Sequence, residues 1–336
     1  MKAANHQVIG QTYDWLRSGQ RCWLSTVVAT YGSSPRPEGS MMVCNSTGHI
    51  VGSLSGGCVE EDLVEKLKDG VLAGSHPQFF RYGESDEEAE QLGLPCGGHL
   101  DIVIEPLQND KRTLQDFKLL SSRLQQRKLI ERVLDVRTAQ RHVAETDEFA
   151  PFSYDYESRV LRQVHGPSHQ LFIIGASMVT QYVAELAIML EYQVTICDPR
   201  QEMLEELDVV GVEKICAFPD DVIREKANDA QTAIVALTHD PRIDDMGLLE
   251  AFDTDAYYIG AMGSSRTSAK RRERLLELDV NEDSLARLHA PIGVPIGSKT
   301  PPEIAISILA EVISERAKLA KKDELSQAEE ALVAAI

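Results

Sequence analysis

The sequence predicts an α/β protein in which a small N-terminal α+β domain precedes a Rossmann-like domain with a doubly wound parallel sheet. Three observations carry this expectation. From Gln170 onward, short apolar strands alternate with segments whose apolar residues recur at helical spacing. Ahead of that point, apolar runs are joined instead by turn signals of the hairpin kind. A chain of 336 residues also exceeds the usual size of one domain, so two units with separate cores are the default.

Taken in order, Cys22 to Thr30 and Met41 to Gly52 read as strands, the second interrupted by the turn Asn45-Ser46-Thr47-Gly48. Val59, Leu63, Leu67 and Val71 are spaced four apart, which predicts one face of a helix over Val59 to Leu72, punctuated by Gly70 and Gly74. After an acidic stretch around Glu84 to Glu90, Leu100 to Glu105 reads as a strand ending at Glu105-Pro106. Between Gln108 and Pro167 the pattern predicts a helix (Thr113 to Gln126), a strand (Leu129 to Val136) and an irregular tyrosine-containing piece, together an accessory segment or linker. The expected boundaries are 1–108 for the N-terminal domain, 109–167 for the accessory segment, 168–322 for the Rossmann-like domain and 323–336 for a C-terminal tail.

In the second half, Leu171 to Ile174 forms an apolar strand ending at Gly175. Val179, Tyr182, Val183, Leu186, Ala187 and Leu190 then follow at helical spacing. Further strands are expected at Val194 to Cys197, Lys214 to Ala217, Ala233 to Leu237 and Tyr257 to Ala261. Strands alternating with helices imply right-handed crossovers and a parallel sheet covered on both faces. Thr300-Pro301-Pro302-Glu303 has the form of a capping box and predicts a long closing helix from Pro301 to about Leu319.

Composition narrows the function. A formal net charge of −19 disfavours binding to a phosphate backbone, because nucleic-acid proteins present a cationic face. No apolar run approaches the length needed to span a bilayer, and Met1 to Gln20 lacks the apolar core of a secretion signal, so a cytoplasmic location with no membrane partner is expected. The six cysteines, Cys22, Cys44, Cys58, Cys96, Cys197 and Cys216, are too sparse for a disulfide framework and are expected as free thiols.

Two short motifs mirror each other in composition: Gly56-Gly57-Cys58 and Cys96-Gly97-Gly98. Each sets a thiol beside backbone stripped of side chains, where an anionic or metal-bearing ligand can approach sulfur. Cys58 falls near a helix start, where the dipole favours thiolate while Glu60, Glu61 and Asp62 oppose it. Packing as a small buried hydrophobe remains the alternative. No CxxC pair supports structural zinc. His99 follows the second motif and stands either as a base for a cysteine nucleophile or as an ordinary polar residue.

The first strand-to-helix turn of the second domain is Gly175-Ala176-Ser177-Met178-Val179-Thr180, which keeps only the first glycine of GxGxxG. Asp198 lies 23 residues after Gly175, where a carboxylate commonly grips ribose hydroxyls; the alternative is a cap or turn residue before Pro199. Thr238-His239-Asp240 occupies the carboxyl edge of a strand, and the alternative there is a helix capped by Asp240 with Pro241 in the first turn. Gly263-Ser264-Ser265-Arg266 leads into a basic helix carrying Lys270, Arg271, Arg272 and Arg274, which reads either as an anion site or as a solvated face.

Several motifs in order resemble the XdhC/CoxF family: Tyr31-Gly32-Ser33-Ser34-Pro35-Arg36-Pro37, Ser53 through Glu60, Cys96-Gly97-Gly98, Glu105-Pro106, Asp198-Pro199-Arg200, Thr238-His239-Asp240, Tyr258-Ile259-Gly260 with Gly263-Ser264, and Ile292-Gly293 to Ala310. Members of that family are accessory proteins of molybdenum hydroxylases such as xanthine dehydrogenase and aldehyde oxidoreductases. The resemblance implies a chaperone that carries molybdenum cofactor, as molybdopterin or its dinucleotide form, rather than using it. It implies support of cofactor sulfuration with a cysteine desulfurase and insertion into an apo molybdenum hydroxylase; a homodimer is left open. Cofactor-binding candidates in the first domain are Ser55, Gly56, Gly57, Cys58, Cys96, Gly97 and Gly98, with Cys58 and Cys96 as metal ligands. Those in the second are Gly175, Asp198, His239, Gly263 and Ser264. The chain departs from the family pattern at Ala176-Ser177-Met178, where a glycine-rich loop is commoner, and in the length of the 108–167 segment. The rival from another class is an NAD(P)-dependent oxidoreductase using Gly175, Asp198 and a catalytic His239.

Overall fold

The computed structural model describes residues 2–31, 36–85, 87, 90, 98–238 and 240–334. The chain divides into two units, Met1–Ser168 and His169–Ile336.

The first unit is organised around a five-stranded antiparallel sheet made of β1 (Cys22–Thr30), β2 (Met41–Asn45), β3 (Ile50–Gly52), β4 (Gln78–Tyr82) and β5 (Leu100–Leu107), in the order β3-β2-β1-β5-β4. β2 and β3 form the expected hairpin, with the Asn45 side chain bonded to the amides of Thr47 and His49 in the turn. One face is covered by α2 (Cys58–Lys68), whose Val59, Leu63 and Leu67 pack against Met42, Cys44, Leu100, Ile102 and Ile104. Periodicity carried that helix too far: it stops at Lys68, Gly70 takes a positive φ of 72°, and Val71 is exposed beyond the apolar face.

The opposite face is shared. α1 (Lys2–Arg17), for which the sequence pattern predicted no element, lays Val8, Ile9, Thr12 and Leu16 inward; three of these recur at intervals of four, which is one helical stripe. α3 (Lys111–Gln125), capped by Asp110, packs Phe117, Leu120 and Leu124 beside it. The segment expected as an accessory piece or linker is therefore a folded part of the first unit. After α3 it forms a four-stranded antiparallel sheet from β6 (Ile130–Asp135), β7 (Gln140–Glu145), β8 (Ser153–Asp155) and β9 (Val160–His165), ordered β7-β6-β9-β8. The strand expected at Leu129 to Val136 is the centre of that sheet.

Glu105 ties the two sheets together. Its carboxylate lies buried between Arg132 of β6 and Arg141 of β7, with Arg141 Nη2 at 2.6 Å, and Arg141 also reaches Asp116 of α3 at 3.3 Å. Burial alone would raise the Glu105 pKa, but the two guanidiniums hold it below the usual carboxylate range.

The second unit is a six-stranded, wholly parallel sheet of β10 (Gln170–Ile174), β11 (Gln193–Cys197), β12 (Glu213–Ile215), β13 (Thr232–Ala236), β14 (Tyr258–Ala261) and β15 (Leu288–His289). Its order is β12-β11-β10-β13-β14-β15, the doubly wound arrangement with its switch between β10 and β13. Alternate residues of β10 feed two cores. Leu171 and Ile173 meet α4 (Met178–Met189) and α10 (Pro301–Ala334). Phe172 and Ile174 meet α6 (Pro219–Lys226), α7 (Pro241–Phe252), α8 (Ser265–Glu277) and α9 (Glu282–Ala286), while the short α5 (Gln201–Glu205) follows β11.

α10 starts as the capping box predicts: Glu303 Oε2 accepts from the amides of Lys299 and Thr300. It runs on to Ala334, so the expected end near Leu319 is too early and most of the expected tail is helical. Glu311 fastens it to the sheet, accepting from Tyr258 Oη at 2.5 Å, the Gly293 amide at 2.7 Å and His289 Nδ1 at 3.1 Å.

Candidate functional site

Antiparallel pairing brings the first unit's motifs to one end of its sheet. β1 finishes at Thr30 opposite Leu100, where β5 begins, and β4 finishes at Tyr82 opposite the same Leu100. β3 finishes at Gly52 opposite Met42, at the start of β2. The loop Ser53–Gly57, the residues after Thr30 and those before Leu100 therefore leave the sheet at a shared end. Three strand spacings separate the roots of the Gly57-Cys58 and Gly98 motifs, about 14 Å. Cys96, Gly97 and residues 32–35 lie outside the described residues; Gly98 is buried at the approach to β5.

The Gly56-Gly57 loop closes on an anion that belongs to the chain itself. Glu60 Oε1 accepts from the amides of Leu54 (2.8 Å), Ser55 (2.9 Å) and Gly56 (3.0 Å) and from Ser53 Oγ (2.8 Å). Its Oε2 accepts from Ser55 Oγ (2.8 Å) and the Gly57 amide (3.0 Å). Burial alone would raise this carboxyl; the bonds from Ser55, Gly56, Leu54 and Ser53 outweigh it and lower the pKa to about 2. The loop needs Gly56 because its φ is +86°, a region unfavourable to side chains. These amides are committed to Glu60 and do not form the open phosphate cradle that their composition suggests. Cys58 follows as the first residue of α2 and is exposed, which overturns its reading as a buried hydrophobe.

A second cluster stands where β1 ends and β5 begins. The Tyr31 amide donates to His99 O at 3.0 Å, and the two rings stack with centroids 3.8 Å apart and planes 26° from parallel. Asp101, two residues on, is fully buried and takes Arg81 in a fork: Nε to Oδ1 at 2.6 Å and Nη2 to Oδ2 at 2.7 Å. Tyr156, just after β8, donates its hydroxyl to Asp101 Oδ2 at 2.7 Å. Arg81, Asp101 and Tyr156 were not singled out in the sequence. The cross-strand register Arg81↔Asp101 is the one signal that finds the first two, and it requires knowing that β4 pairs with β5.

At the carboxyl edge of the second sheet, several expected site residues are held by the chain. Gly175 has a φ of +97°, and a Cβ there would fall 2.0 Å from Thr238 Cγ2, so strand ends at the switch point touch directly. Asp198 is buried and accepts from the Ala176 amide at 2.8 Å and the Arg200 amide at 2.9 Å. Its remaining capacity goes to the Arg200 guanidinium at 2.9 and 2.7 Å. Burial would raise its pKa; Arg200 and the Ala176 amide lower it. The carboxylate acts as the turn residue of the alternative reading, not as an open ribose acceptor. Ser177 and Ser264 cap α4 and α8, accepting from the amides of Thr180 and Thr267. Asp240 caps α7, with Pro241 first in the helix, and His239 lies outside the described residues.

The basic helix is divided: Lys270 is exposed, as a solvated face requires, whereas Arg271, Arg272 and Arg274 are held by the chain. Arg271 is buried and bonds Asp244 Oδ2 (2.7 Å), Asp245 Oδ1 (3.1 Å) and Met262 O (3.0 Å). Arg274 pairs with Asp245, and Arg272 donates to the carbonyls of Leu285 and Leu288.

Comparison with known proteins follows the same division. Residues 171–312 match the XdhC Rossmann domain and residues 15–83 the XdhC and CoxI family. The chain belongs to the XdhC and CoxI family. Across 90% of its length, this XdhC-family chain is 28% identical to an Escherichia coli protein named molybdenum cofactor insertion chaperone PaoD, covering 85% of that protein. It is 26% identical to a Bacillus subtilis protein named as a probable xanthine dehydrogenase subunit, with 91% of this chain and 96% of the relative covered. A crystal structure from Bacillus halodurans described as a xanthine dehydrogenase superposes with a TM-score of 0.72 at 25% identity, covering 92% of this chain and 96% of that one. No helix among the described residues of the XdhC-family chain is long and apolar enough to cross a membrane.

Proposed function

We propose that this chain binds molybdenum cofactor and delivers it to an apo molybdenum hydroxylase of the xanthine dehydrogenase or aldehyde oxidoreductase type. The observation that carries this reading is the convergence of the family's N-terminal motifs on one end of the five-stranded sheet, where Cys58 offers an exposed thiol and Arg81 a cation. A soft thiol suits a dithiolene-bound molybdenum or its transferable sulfur, and a guanidinium suits phosphate. The similarity to a protein named a molybdenum cofactor insertion chaperone supports the same reading.

Within it, Cys58 and Cys96 are the thiols that hold or shield the metal centre, and Ser55, Gly56, Gly57, Gly97 and Gly98 shape the loops that present them. Glu60 fixes the first loop so that the Cys58 thiol, not the glycine amides, faces the cargo. A cysteine desulfurase supplies sulfur to the bound cofactor, and the carriage takes place in the cytoplasm. Pterin and molybdenum released from the purified full chain test the proposal together. Stoichiometric release of both is expected, with a severalfold loss in Cys58→Ala and Cys96→Ala. Absence of both from the wild-type chain overturns the function, and unchanged content in both variants removes the thiols from it.

A further inference from the structure

We propose that Tyr31, His99 and Arg81 form the seat for a flat heteroaromatic ring carrying a phosphate, the ring stacking on the Tyr31–His99 pair and the phosphate meeting the outward edge of Arg81. This rests on the reading of the chain as a carrier of molybdenum cofactor, and it assigns recognition to side chains rather than to the glycine amides of the thiol motifs.

Four observations build the seat. Tyr31 is 50% exposed although its ring is packed flat on His99, so the stacked pair presents aromatic surface to solvent. Exposed aromatic surface of this kind gains from a further ring at stacking distance. Arg81 is held rigid: the fork with Asp101 uses Nε and Nη2, and Nη1 makes no hydrogen bond among the described residues. With its side chain 37% exposed, the guanidinium has one edge fixed and one edge free, so little rotamer entropy is lost when an anion binds. Thr30 and Tyr82 flank Leu100 in register from either side, so Tyr31, which follows Thr30, and Arg81, which precedes Tyr82, stand at the same end of the sheet as His99. Tyr156 completes the support by filling Asp101 Oδ2 from the second sheet of this unit. The long 108–167 segment thus has a role at the site: it supplies the side chain that locks the orientation of Asp101.

The Gly56-Gly57 amides cannot serve as this phosphate site, because Glu60 occupies them. Arg81, at the same end of the sheet, keeps a donor edge that makes no hydrogen bond among the described residues.

The test uses the full chain and three probes: 6-hydroxymethylpterin, its phosphate monoester and guanosine monophosphate, with pterin fluorescence and calorimetry as readouts. The wild-type chain is expected to quench pterin fluorescence on binding and to prefer the phosphate ester about tenfold or more, the size of one charge-assisted fork. Arg81→Gln is expected to remove that preference while leaving the unphosphorylated pterin bound as before, and Arg81→Lys to restore part of it. Tyr31→Leu, at an exposed position that leaves the core intact, is expected to abolish quenching and weaken every probe. Tighter binding of either phosphate ester supports the seat and identifies which end of the cofactor occupies it. Arg81→Gln that keeps the full phosphate preference overturns the inference while wild-type retention of pterin and molybdenum leaves the carrier reading standing. A wild-type chain that releases no pterin and binds no probe overturns both.

Discussion

Glu60 Oε2 receives the Gly57 amide at 3.0 Å, and through this bond the third residue of α2 closes the loop that precedes the helix. With five further donors from Ser53 to Gly56, the carboxylate replaces the ligand that a glycine-rich loop at a helix start would otherwise take. The geometry explains why Cys58 is presented outward: the loop is pinned from within.

Glu60→Gln is therefore expected to lower stability by about 2–4 kcal/mol, since an amide cannot accept from all these donors and leaves buried N–H groups unpaired. Because the folded pKa of about 2 lies below the ordinary 4.5, this group's contribution is complete above the ordinary value and is lost as pH falls from there toward 2. Urea unfolding across that acid range should show a steeper decline for wild type than for Glu60→Gln, which keeps only the share of the other lowered carboxylates. Parallel curves for the two proteins would remove the carboxylate from the loop's stability.

Asp244 titrates with the opposite sign. Burial, reinforced by Asp245 and opposed by Thr238 and Arg271, raises its pKa from 3.8 to about 6. A raised carboxyl favours the folded state fully below its ordinary pKa and loses that contribution as pH rises through about 6. Arg271→Met leaves Asp244 and Asp245 without their shared buried cation and is expected to cost about 3–5 kcal/mol near neutrality. The deficit should shrink at about pH 5, where Asp244 takes up a proton. Thermal unfolding on both sides of that pH checks it; a deficit independent of pH would mean that Asp244 does not carry the uncompensated charge.

These carboxylates mark where the sequence was readable and where it was not. The alternation from Leu171 to Ala261 was legible because the central strands β10, β13 and β14 are short apolar runs separated by helical stretches. Capping at Asp240 and Thr300 was legible because it is decided within four residues. Glu60 was counted only as a negative neighbour of Cys58, since its reach back over the loop depends on Gly56 adopting positive φ. Arg271 and Arg274 looked like a solvated or anion-binding run because their acids sit on another helix, 26 and 29 residues away. The second sheet of the first unit was missed for the same reason: β6 pairs with β9 across a long separation, and its polar outer residues weaken the alternation.

The closed state of the first Rossmann turn predicts weak nicotinamide binding. Asp198 is filled by Arg200 and the Ala176 amide, and Ser177 stands where the dinucleotide pattern has its second glycine. Titration of the chain into NADH is expected to leave its fluorescence unchanged up to about millimolar concentration, a Kd that corresponds to only about 4 kcal/mol of binding. Saturable binding in the micromolar range, together with hydride transfer, would overturn the assignment of this turn and revive a dehydrogenase reading.

The thiols give a sharper test of the cargo site. Burial pushes Cys22 and Cys197 up to about 12 and Cys44 up to about 11, whereas Cys58 and Cys216 are exposed. The thiolate is the reacting species, so at about pH 8 the three buried thiols should alkylate at least ~100-fold more slowly than an exposed one. In a Cys96→Ala background, intact-mass analysis after iodoacetamide is expected to show two fast adducts, at Cys58 and Cys216. Loading the chain with molybdenum cofactor should then protect Cys58 and leave Cys216, which stands at the edge of the second sheet near the Pro199 carbonyl, as reactive as before. Equal protection of both would point to a global tightening of the fold instead of a ligand at the first unit, and no protection of Cys58 would separate its thiol from the cargo altogether.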